Sequence, residues 1–309
     1  MAQTFDLIII GGGCTGFGAA MYAGRMNLKT LVIVELRGGL ITWTDSVENY
    51  PGFKKLTGSE LAKKIEEHAM EYDIEIFDGR ATKVVKEGNL FKVKAENREF
   101  TSKTVLFATG TKIRELEIPG EKEFRGKGVH HCALCDGAFY KNKVVAVIGG
   151  SDSAAKEALL LTQYARKVYM IYRGEKIRPE PINYDRIMQN KKIEIIYKTN
   201  LKEIKGTKFV ESIVLDNPYK GSNELKLDGI FLAIGHVSLS QLAQEIGVKV
   251  NQKGEIIINK NAETNVPGVY AAGDVVDTRF KQAIIGVAEG ILAVYSAYEY
   301  ISKQELCKE

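Results

Sequence analysis

Cysteine, proline and tryptophan are scarce in this sequence: its 309 residues hold four Cys, six Pro and one Trp. Four cysteines cannot staple a chain of this length, which excludes a disulfide scaffold. The 30 glycines follow no period, which excludes a collagen-like fibre. Charge of one sign is lacking as well: 43 Lys and Arg stand against 39 Asp and Glu, interleaved along the chain, for a formal charge of +4. Neither a disordered polyelectrolyte nor a nucleic-acid-binding face is expected from that balance. No run reaches the roughly 18 apolar residues that a spanning helix needs. Met1 to Asp6 supply neither a basic n-region nor a small-residue cleavage site ahead of Leu7. The expectation is a cytoplasmic protein with no membrane and no nucleic acid among its partners. Cysteines there serve chemistry or metal binding, or are inert, more often than they form structural bridges. What remains is an ordinary globular composition with length for about two domains.

The order of patterns predicts an α/β fold. Phe5 to Ile10 is a short β-branched run ending in Gly11-Gly12-Gly13-Cys14-Thr15-Gly16, followed by a helix-like stretch from Gly18 to Met26 and a second strand, Thr30 to Val34, that ends on Glu35. This is the βαβ opening of a doubly wound sheet. A helix is predicted over Ser59 to Tyr72 with Ser59 as its cap, then an antiparallel meander from Ala81 that closes on a buried strand, Thr104 to Ala108. The same unit recurs: strand Val144 to Ile148, a turn Gly149-Gly150-Ser151-Asp152-Ser153-Ala154, a helix to Tyr164 and a strand Lys167 to Ile171. Strands at Ile193 to Tyr197, Val210 to Leu215 and Gly229 to Ile234, and a helix from about Gln282 to Ile301, complete the reading.

Gly11, Gly13 and Gly16 fill the three positions of G-x-G-x-x-G, which demand in turn a tight bend, a close backbone approach to pyrophosphate and a helix packed hard on a strand. Glu35, 19 residues beyond Gly16, is placed to accept from a ribose diol, which favours FAD or NAD over NADP. The second turn departs from the pattern, with Ser151 at the middle glycine. Arg173 and Arg178, beyond its second strand, are candidates to hold a 2′-phosphate. Between the two turns stands Cys132-Ala133-Leu134-Cys135-Asp136. Two intervening residues bring two sulfurs within bonding distance, and such dithiols have lowered thiol pKa values. Half a zinc site is the competing reading, but Cys14 and Cys307 form no second CxxC and read as ordinary unpaired thiols, so no metal is expected. Asp136 is either a general acid for a departing thiolate or a turn residue before Gly137. His130 and His131, just before the dithiol, are placed to tune it electrostatically or form a surface loop pair, and the second reading is preferred.

Taken together, the two dinucleotide turns, the CxxC-Asp before the second, Glu48-Asn49-Tyr50-Pro51-Gly52-Phe53, Ala108-Thr109-Gly110 and Val269-Tyr270-Ala271-Ala272-Gly273-Asp274 resemble the low-molecular-weight thioredoxin reductase family, from Asp6 to about Ile301. The resemblance implies two Rossmann-like dinucleotide-binding domains, the second inserted into the first: an FAD domain in two segments, 1–113 and 237–309, around a pyridine-nucleotide domain, 114–236, that carries the CxxC. It implies a homodimer. It places Gly11, Gly13, Cys14, Thr15 and Gly16 on the FAD pyrophosphate and Glu35 at the adenosine ribose. Gly39, Leu40, Ile41, Asn49, Ala81, Ala108, Thr109 and Gly110 fall around the cofactor, Gly273 and Asp274 at the pyrophosphate and ribityl chain, and Lys281, Gln282 and Ala283 at the flavin ring. Cys135 matches the flavin-proximal cysteine and Cys132 the interchange thiol that attacks the disulfide of thioredoxin or a glutaredoxin-like protein.

The departures bear on the electron donor. Members that use NADPH carry His-Arg-Arg and a third Arg, where this chain has Tyr172-Arg173-Gly174 and Arg178. One lost guanidinium contact is worth roughly 1.5–3 kcal/mol. Gly149, Gly150, Ser151, Asp152, Ser153, Arg173 and Arg178 form the candidate nucleotide site, with NADH, reduced ferredoxin and reduced deazaflavin as alternative donors to NADPH. A dithiol oxidase that passes electrons to oxygen, and an FAD-binding redox sensor without turnover, are the alternative functions.

Overall fold

A computed structural model describes residues 4–44 and 47–306. Cys307 lies outside the described residues. The chain runs β1 (Thr4–Ile10), α1 (Cys14–Arg25), β2 (Thr30–Val34), α2 (Gly58–Ala69), β3 (Ile74–Asp78), β4 (Ala81–Glu87), β5 (Leu90–Ala95), β6 (Arg98–Phe107), β7 (Thr111–Ile113), β8 (Val129–His130), α3 (Ala133–Asp136), β9 (Val144–Ile148), α4 (Asp152–Leu161), β10 (Lys167–Ile171), α5 (Pro181–Gln189), β11 (Ile193–Ile196), β12 (Leu201–Gly206), β13 (Val210–Tyr219), β14 (Ser222–Lys226), β15 (Gly229–Leu232), β16 (His236–Ser238), α6 (Gln241–Glu245), β17 (Val269–Ala271) and α7 (Ala283–Leu306). Two compact units result, Met1–Lys112 with Val237–Glu309 and, between them in sequence, Ile113–His236. The cut ends of each unit meet: Arg114 N–H donates to Gly235 O at 3.0 Å in the inserted unit, and Leu239 N–H to Gly110 O at 3.0 Å in the outer one.

Both units are doubly wound. In the outer unit the parallel strands lie in the order β3-β2-β1-β6-β17, and β4 and β5 continue antiparallel from β6. In the inserted unit the five parallel strands lie in the order β11-β10-β9-β15-β8, beside an antiparallel sheet β12-β13-β14. The central strands are apolar throughout because both faces are covered. Ile8, Ile10, Leu31, Ile33 and Phe107 face the core of the meander, whereas Leu7, Ile9, Val32, Val34 and Leu106 face α1 and α7. Each such side chain contributes about 1.5–3 kcal/mol on burial.

Several boundaries differ from the sequence reading. Helix α2 is capped by Thr57 in a capping box with Glu60, whereas the Ser59 hydroxyl donates to Thr42 O at 3.2 Å. The C-terminal helix runs on to Leu306, and by length and composition alone it is apolar enough to cross a membrane. Its Ala293, Val294, Ala297 and Ile301 are buried in the core that also holds Phe17, Ala19, Ala20 and Ala23 of α1, while Leu292, Tyr295 and Tyr298 are exposed. That face makes α7 a core helix of its unit.

Candidate functional site

The first dinucleotide turn is built as its glycines require. Gly11 has φ +124°, and an added Cβ would lie 2.2 Å from Ala108 O. A Cβ on Gly16 would lie 1.9 Å from Gly11 O, so α1 sits directly on the bend. Gly13 is the N-cap of α1 and is open: the nearest atoms to an added Cβ are Gly38 O at 3.7 Å and Gly39 Cα at 3.9 Å. No side chain caps α1, and no acid stands in its first turn. Amides at such an end are a ready anion site. Cys14, in that turn, is buried, and its thiol is pushed up to about 11 by burial and by the Asp274 charge, which outweigh the hydrogen bond that lowers it.

The other candidate flavin residues of this unit are placed as follows. Glu35 follows β2, exposed, with Arg80 Nε at 3.7 Å. Gly39, Leu40 and Ile41 form a 3-10 turn entered through Gly38 at φ +79°. Asn49 Nδ2 donates to Gln282 Oε1 at 2.8 Å, tying the segment ahead of α2 to the start of α7 beside Ala283. Thr109 Oγ1 donates to Leu239 O at 2.7 Å, next to Gly110 at φ +64°. Thr15 packs on Gly273 and Gly286, where added Cβ atoms would lie 2.6 and 2.4 Å from its Oγ1. Two placements cut against direct contact. The Ala81 side chain is buried in the meander core, and the Lys281 ammonium is committed to Glu255 at 2.6 Å and to the Asp274 carbonyl at 2.8 Å.

Sequence reasoning missed two carboxylates here. Glu289 accepts from the Gly273 amide at 2.9 Å and from the Thr278 hydroxyl, so it fixes the Gly273–Val275 turn from α7. Burial pushes the Glu255 carboxyl up, but donation from Lys281 and Asn251 outweighs it and holds the group below the ordinary range. Neither residue lies in a motif, and only the folded chain brings them to the turn.

The second turn shares the bend and differs at the helix end. Gly149 has φ +148°, and an added Cβ would lie 2.2 Å from Ala233 O. Ser151 caps α4, its hydroxyl accepting from Ala154 N–H at 3.5 Å, and Asp152 stands in the first turn. The Asp152 carboxylate accepts from Glu180 N–H at 2.9 Å and Asn183 Nδ2 at 2.8 Å, and pairs with Lys156 at 2.9 Å. Burial raises its pKa, but those donors more than offset this and leave it low. Ser153 and Arg173 are exposed. Tyr172, which is not among the site residues expected from the sequence, lies over both Gly150 and Gly174: added Cβ atoms would come within 2.6 and 2.5 Å of its ring. Arg178 is drawn to the same place, its guanidinium donating to Tyr172 Oη at 3.2 Å and its amide to Gly150 O at 2.7 Å.

Cys132 and Cys135 are joined as a disulfide, with Cα atoms 5.4 Å apart. Cys132 is the N-cap of α3 and buried; its sulfur accepts from Cys135 N–H at 3.1 Å, while Cys135 is exposed. Asp136 ends α3 and is paired through Oδ2 with His130 Nδ1 at 2.9 Å. The reading of His130 and His131 as a surface loop pair is corrected: His130 is 8% exposed and His131 half-buried. The backbone of β8 enters the parallel sheet beside β15, which turns the His130 ring inward. Burial and Arg125 depress the His131 imidazole. Among the described residues no group of three or more His, Cys, Asp or Glu gathers to hold a metal ion.

The chain is similar to known proteins over nearly its whole length. The family model of pyridine nucleotide-disulphide oxidoreductases matches residues 5–290. A thioredoxin reductase of Bacillus subtilis (strain 168) is 38% identical over 311 residues, covering 99% of this chain and 98% of the relative. Among solved structures, Lactococcus lactis thioredoxin reductase superposes with a TM-score of 0.93 at 37% identity, covering 97% of this chain and 99% of the other. The T. acidophilum thioredoxin reductase gives 0.90 at 33% identity, covering 96% and 98%.

Proposed function

The chain belongs to the pyridine nucleotide-disulphide oxidoreductase family, and within it we propose a low-molecular-weight thioredoxin reductase, an FAD-dependent enzyme that reduces the disulfide of thioredoxin or a glutaredoxin-like protein. The observation that carries this reading is the Cys132–Cys135 disulfide on a segment inserted, in sequence, between the two halves of an open dinucleotide cradle.

The residues of the outer unit suit FAD. The uncapped amides of α1 and the open face of Gly13 take the pyrophosphate, Glu35 the adenosine ribose, and the Asn49–Gln282 pair with Ala283 the flavin end. Bound FAD would supply the two-electron redox chemistry that links a nicotinamide to a disulfide. The chain's own part is thiol chemistry. Cys135 is the flavin-proximal sulfur and Cys132 the interchange thiol; in the disulfide the Cys132 sulfur accepts from the Cys135 amide, a donor that would stabilise its thiolate after reduction. Because Cys132 is the buried member of the pair, its sulfur must be uncovered before it meets a partner disulfide. A working dithiol needs a reducing surrounding, which fits the cytoplasm.

A flavin and a pyridine nucleotide are the cofactors of the reaction. For the donor we infer NADPH in preference to NADH, because β10 is followed by Tyr172 and Arg173 instead of an acid, and Arg178 lies beside them. Affinity is expected to be low: Ser151 and Asp152 occupy the end of α4, and Tyr172 lies over Gly150. The exposed stripe of Leu292, Tyr295 and Tyr298 on α7 supports a homodimer.

The test is an anaerobic titration of the bound flavin, following its visible absorption with NADPH, NADH, reduced ferredoxin and reduced deazaflavin in turn, and then thioredoxin turnover with whichever donor bleaches it. Bleaching by NADPH at lower concentration than by NADH, with turnover lost in Cys132→Ser and Cys135→Ser, is the expected result. Turnover that survives either substitution would overturn the mechanism. Rapid reoxidation by air with consumption of a small dithiol would point to an oxidase, and FAD binding without turnover from any donor to a sensor.

A further inference from the structure

The dithiol borders a buried polar and aromatic group that thiol–disulfide exchange between Cys132 and Cys135 leaves unused. The His130 ring stacks on Phe231 of the neighbouring strand β15, centroids 5.2 Å apart at 26°, and meets Tyr140 edge-on at 5.4 Å. Both of its nitrogens are engaged: Nδ1 lies 2.9 Å from the Asp136 carboxylate, and Nε2 lies 2.7 Å from the Tyr140 hydroxyl. A neutral imidazole between these partners has one consistent arrangement, with Nδ1–H donating to the carboxylate and the Tyr140 O–H donating to Nε2. The phenol keeps its proton, pushed up to about 12 by burial and then by the charges of Asp136 and Asp228. Further charged groups nearby include Lys143, whose ammonium lies 5.4 Å from the Tyr140 ring, and Asp228, which accepts from Val144 N–H. The imidazole of His131, next in the chain, is depressed by burial and Arg125. Thus the carboxyl that follows Cys135 in sequence is aimed by two buried side chains of the same unit.

We propose that His130 is a positioning residue for proton transfer at the dithiol: its Nδ1–H holds the Asp136 carboxyl where that group takes the proton of Cys135 and gives it back, and Tyr140 fixes the tautomer that makes this donation. The proposal rests on the reductase reading. In the reaction with a protein disulfide, the Cys132 thiol releases its proton to water and its thiolate attacks one partner sulfur, forming a mixed disulfide, while the partner's other sulfur leaves and takes up a proton from water. Cys135 then gives its proton to Asp136 and attacks Cys132 Sγ. The mixed S–S bond breaks, the Cys132–Cys135 bond forms, and the departing partner sulfur receives the proton from Asp136. Two electrons and two protons pass from the dithiol to the partner, and no further reactant enters.

The test uses full-length His130→Phe, His130→Asn, Asp136→Asn and Tyr140→Phe, with the double variant of His130→Phe and Asp136→Asn. Phenylalanine keeps the stack on Phe231 and removes both nitrogens; asparagine places an amide N–H near the position of Nδ1 and gives up the stack. Two quantities are read: thioredoxin kcat/KM, and the pH profile of Cys135 alkylation by iodoacetamide in protein reduced with dithiothreitol and desalted, with the labelled sulfur identified by peptide mass. His130→Phe is expected to lose about tenfold or more in kcat/KM, part of the usual range for a general acid or base, and to displace the alkylation profile as Asp136→Asn does. His130→Asn should recover most of both, Tyr140→Phe should fall between, and the double variant should be no slower than Asp136→Asn alone. A His130→Phe protein with wild-type kcat/KM and profile, or an Asn variant worse than Phe, or losses that add in the double variant, would each overturn the proposal. Failure of the wild type to reduce thioredoxin would sink the reductase reading and leave the alkylation profile to decide on His130.

Discussion

Glu157 carries a carboxyl into the packed side of α4, where Oε2 has no hydrogen-bond partner among the described residues, and burial pushes its pKa from 4.5 up to about 8. The folded state therefore holds this proton between pH 4.5 and 8 while the unfolded state has released it, so stability falls as pH rises through that window. Glu157→Gln is expected to leave the Tm unchanged at pH 4.5 and to raise it by about 2 °C or more at pH 8, measured by thermal unfolding of both proteins in matched buffers. At Gly16 the effect is steric. A methyl group 1.9 Å from Gly11 O forces the first turn away from the bend, so Gly16→Ala should release FAD on desalting and lower stability by about 1–3 kcal/mol or more. Unchanged flavin content per chain would refute this. Gly16 was legible in the sequence because its spacing from Gly11 has a fixed meaning. His130 was not: its partners lie six and ten residues on, at Asp136 and Tyr140, and its stacking surface is Phe231 on another strand, so no periodicity reports the group.

The two dinucleotide turns have the same bend and open onto helices with different ends. Helix α1 offers bare amides; α4 has filled the corresponding place with a hydroxyl and a carboxylate of its own. An anion arriving at α4 must displace the Ser151 cap and approach Asp152, which disfavours a pyrophosphate there. Restoring the family's Arg at Gly174 alone is expected to fail, because its Cβ would come within 2.5 Å of the Tyr172 ring. Ser151→Gly with Tyr172→His and Gly174→Arg should lower the NADPH concentration for half-bleaching of the flavin by about tenfold or more, and Gly174→Arg without Tyr172→His should gain less. Equal gains from both would show that the ring yields freely. At this scale strands β1, β2, β9 and β10 were read almost to the residue, since β-branched apolar runs buried on both faces leave few alternatives, whereas β6 begins at Arg98, six residues before the predicted strand. Helix α5 and strands β12 and β14 were missed because they are short and largely polar, and their place is set by neighbours remote in sequence.

Each of the two units encloses its own apolar core, the inserted one around Val145, Val147, Val168, Met170 and Phe231 on one face of its sheet and Ala146, Ile148, Ile171 and Ile230 on the other. Residues 113–236 expressed alone are therefore expected to fold, giving cooperative thermal unfolding by circular dichroism and forming the Cys132–Cys135 disulfide. A non-cooperative melt would show that the insertion depends on its host. For the proposed homodimer, Tyr295→Lys with Tyr298→Lys should shift the protein toward the monomer mass in sedimentation while leaving its secondary structure intact. The nested arrangement was not legible from composition or length, and the sequence carried it only through the family resemblance; in the structure β17, from the C-terminal part of the chain, pairs beside β6.

The hydrogen bonds that close the cut ends, Arg114 to Gly235 in the inserted unit and Leu239 to Gly110 in the outer one, make the insertion a cartridge. A segment whose two ends emerge together can be lengthened, replaced or lost with little loop-closure penalty to the fold that hosts it. On the proposed reading, selection can then alter which reductant the cartridge accepts, through residues such as Ser151 and Tyr172, without straining the outer unit that is proposed to hold the flavin. The source of electrons is in this sense a separately heritable trait of the molecule.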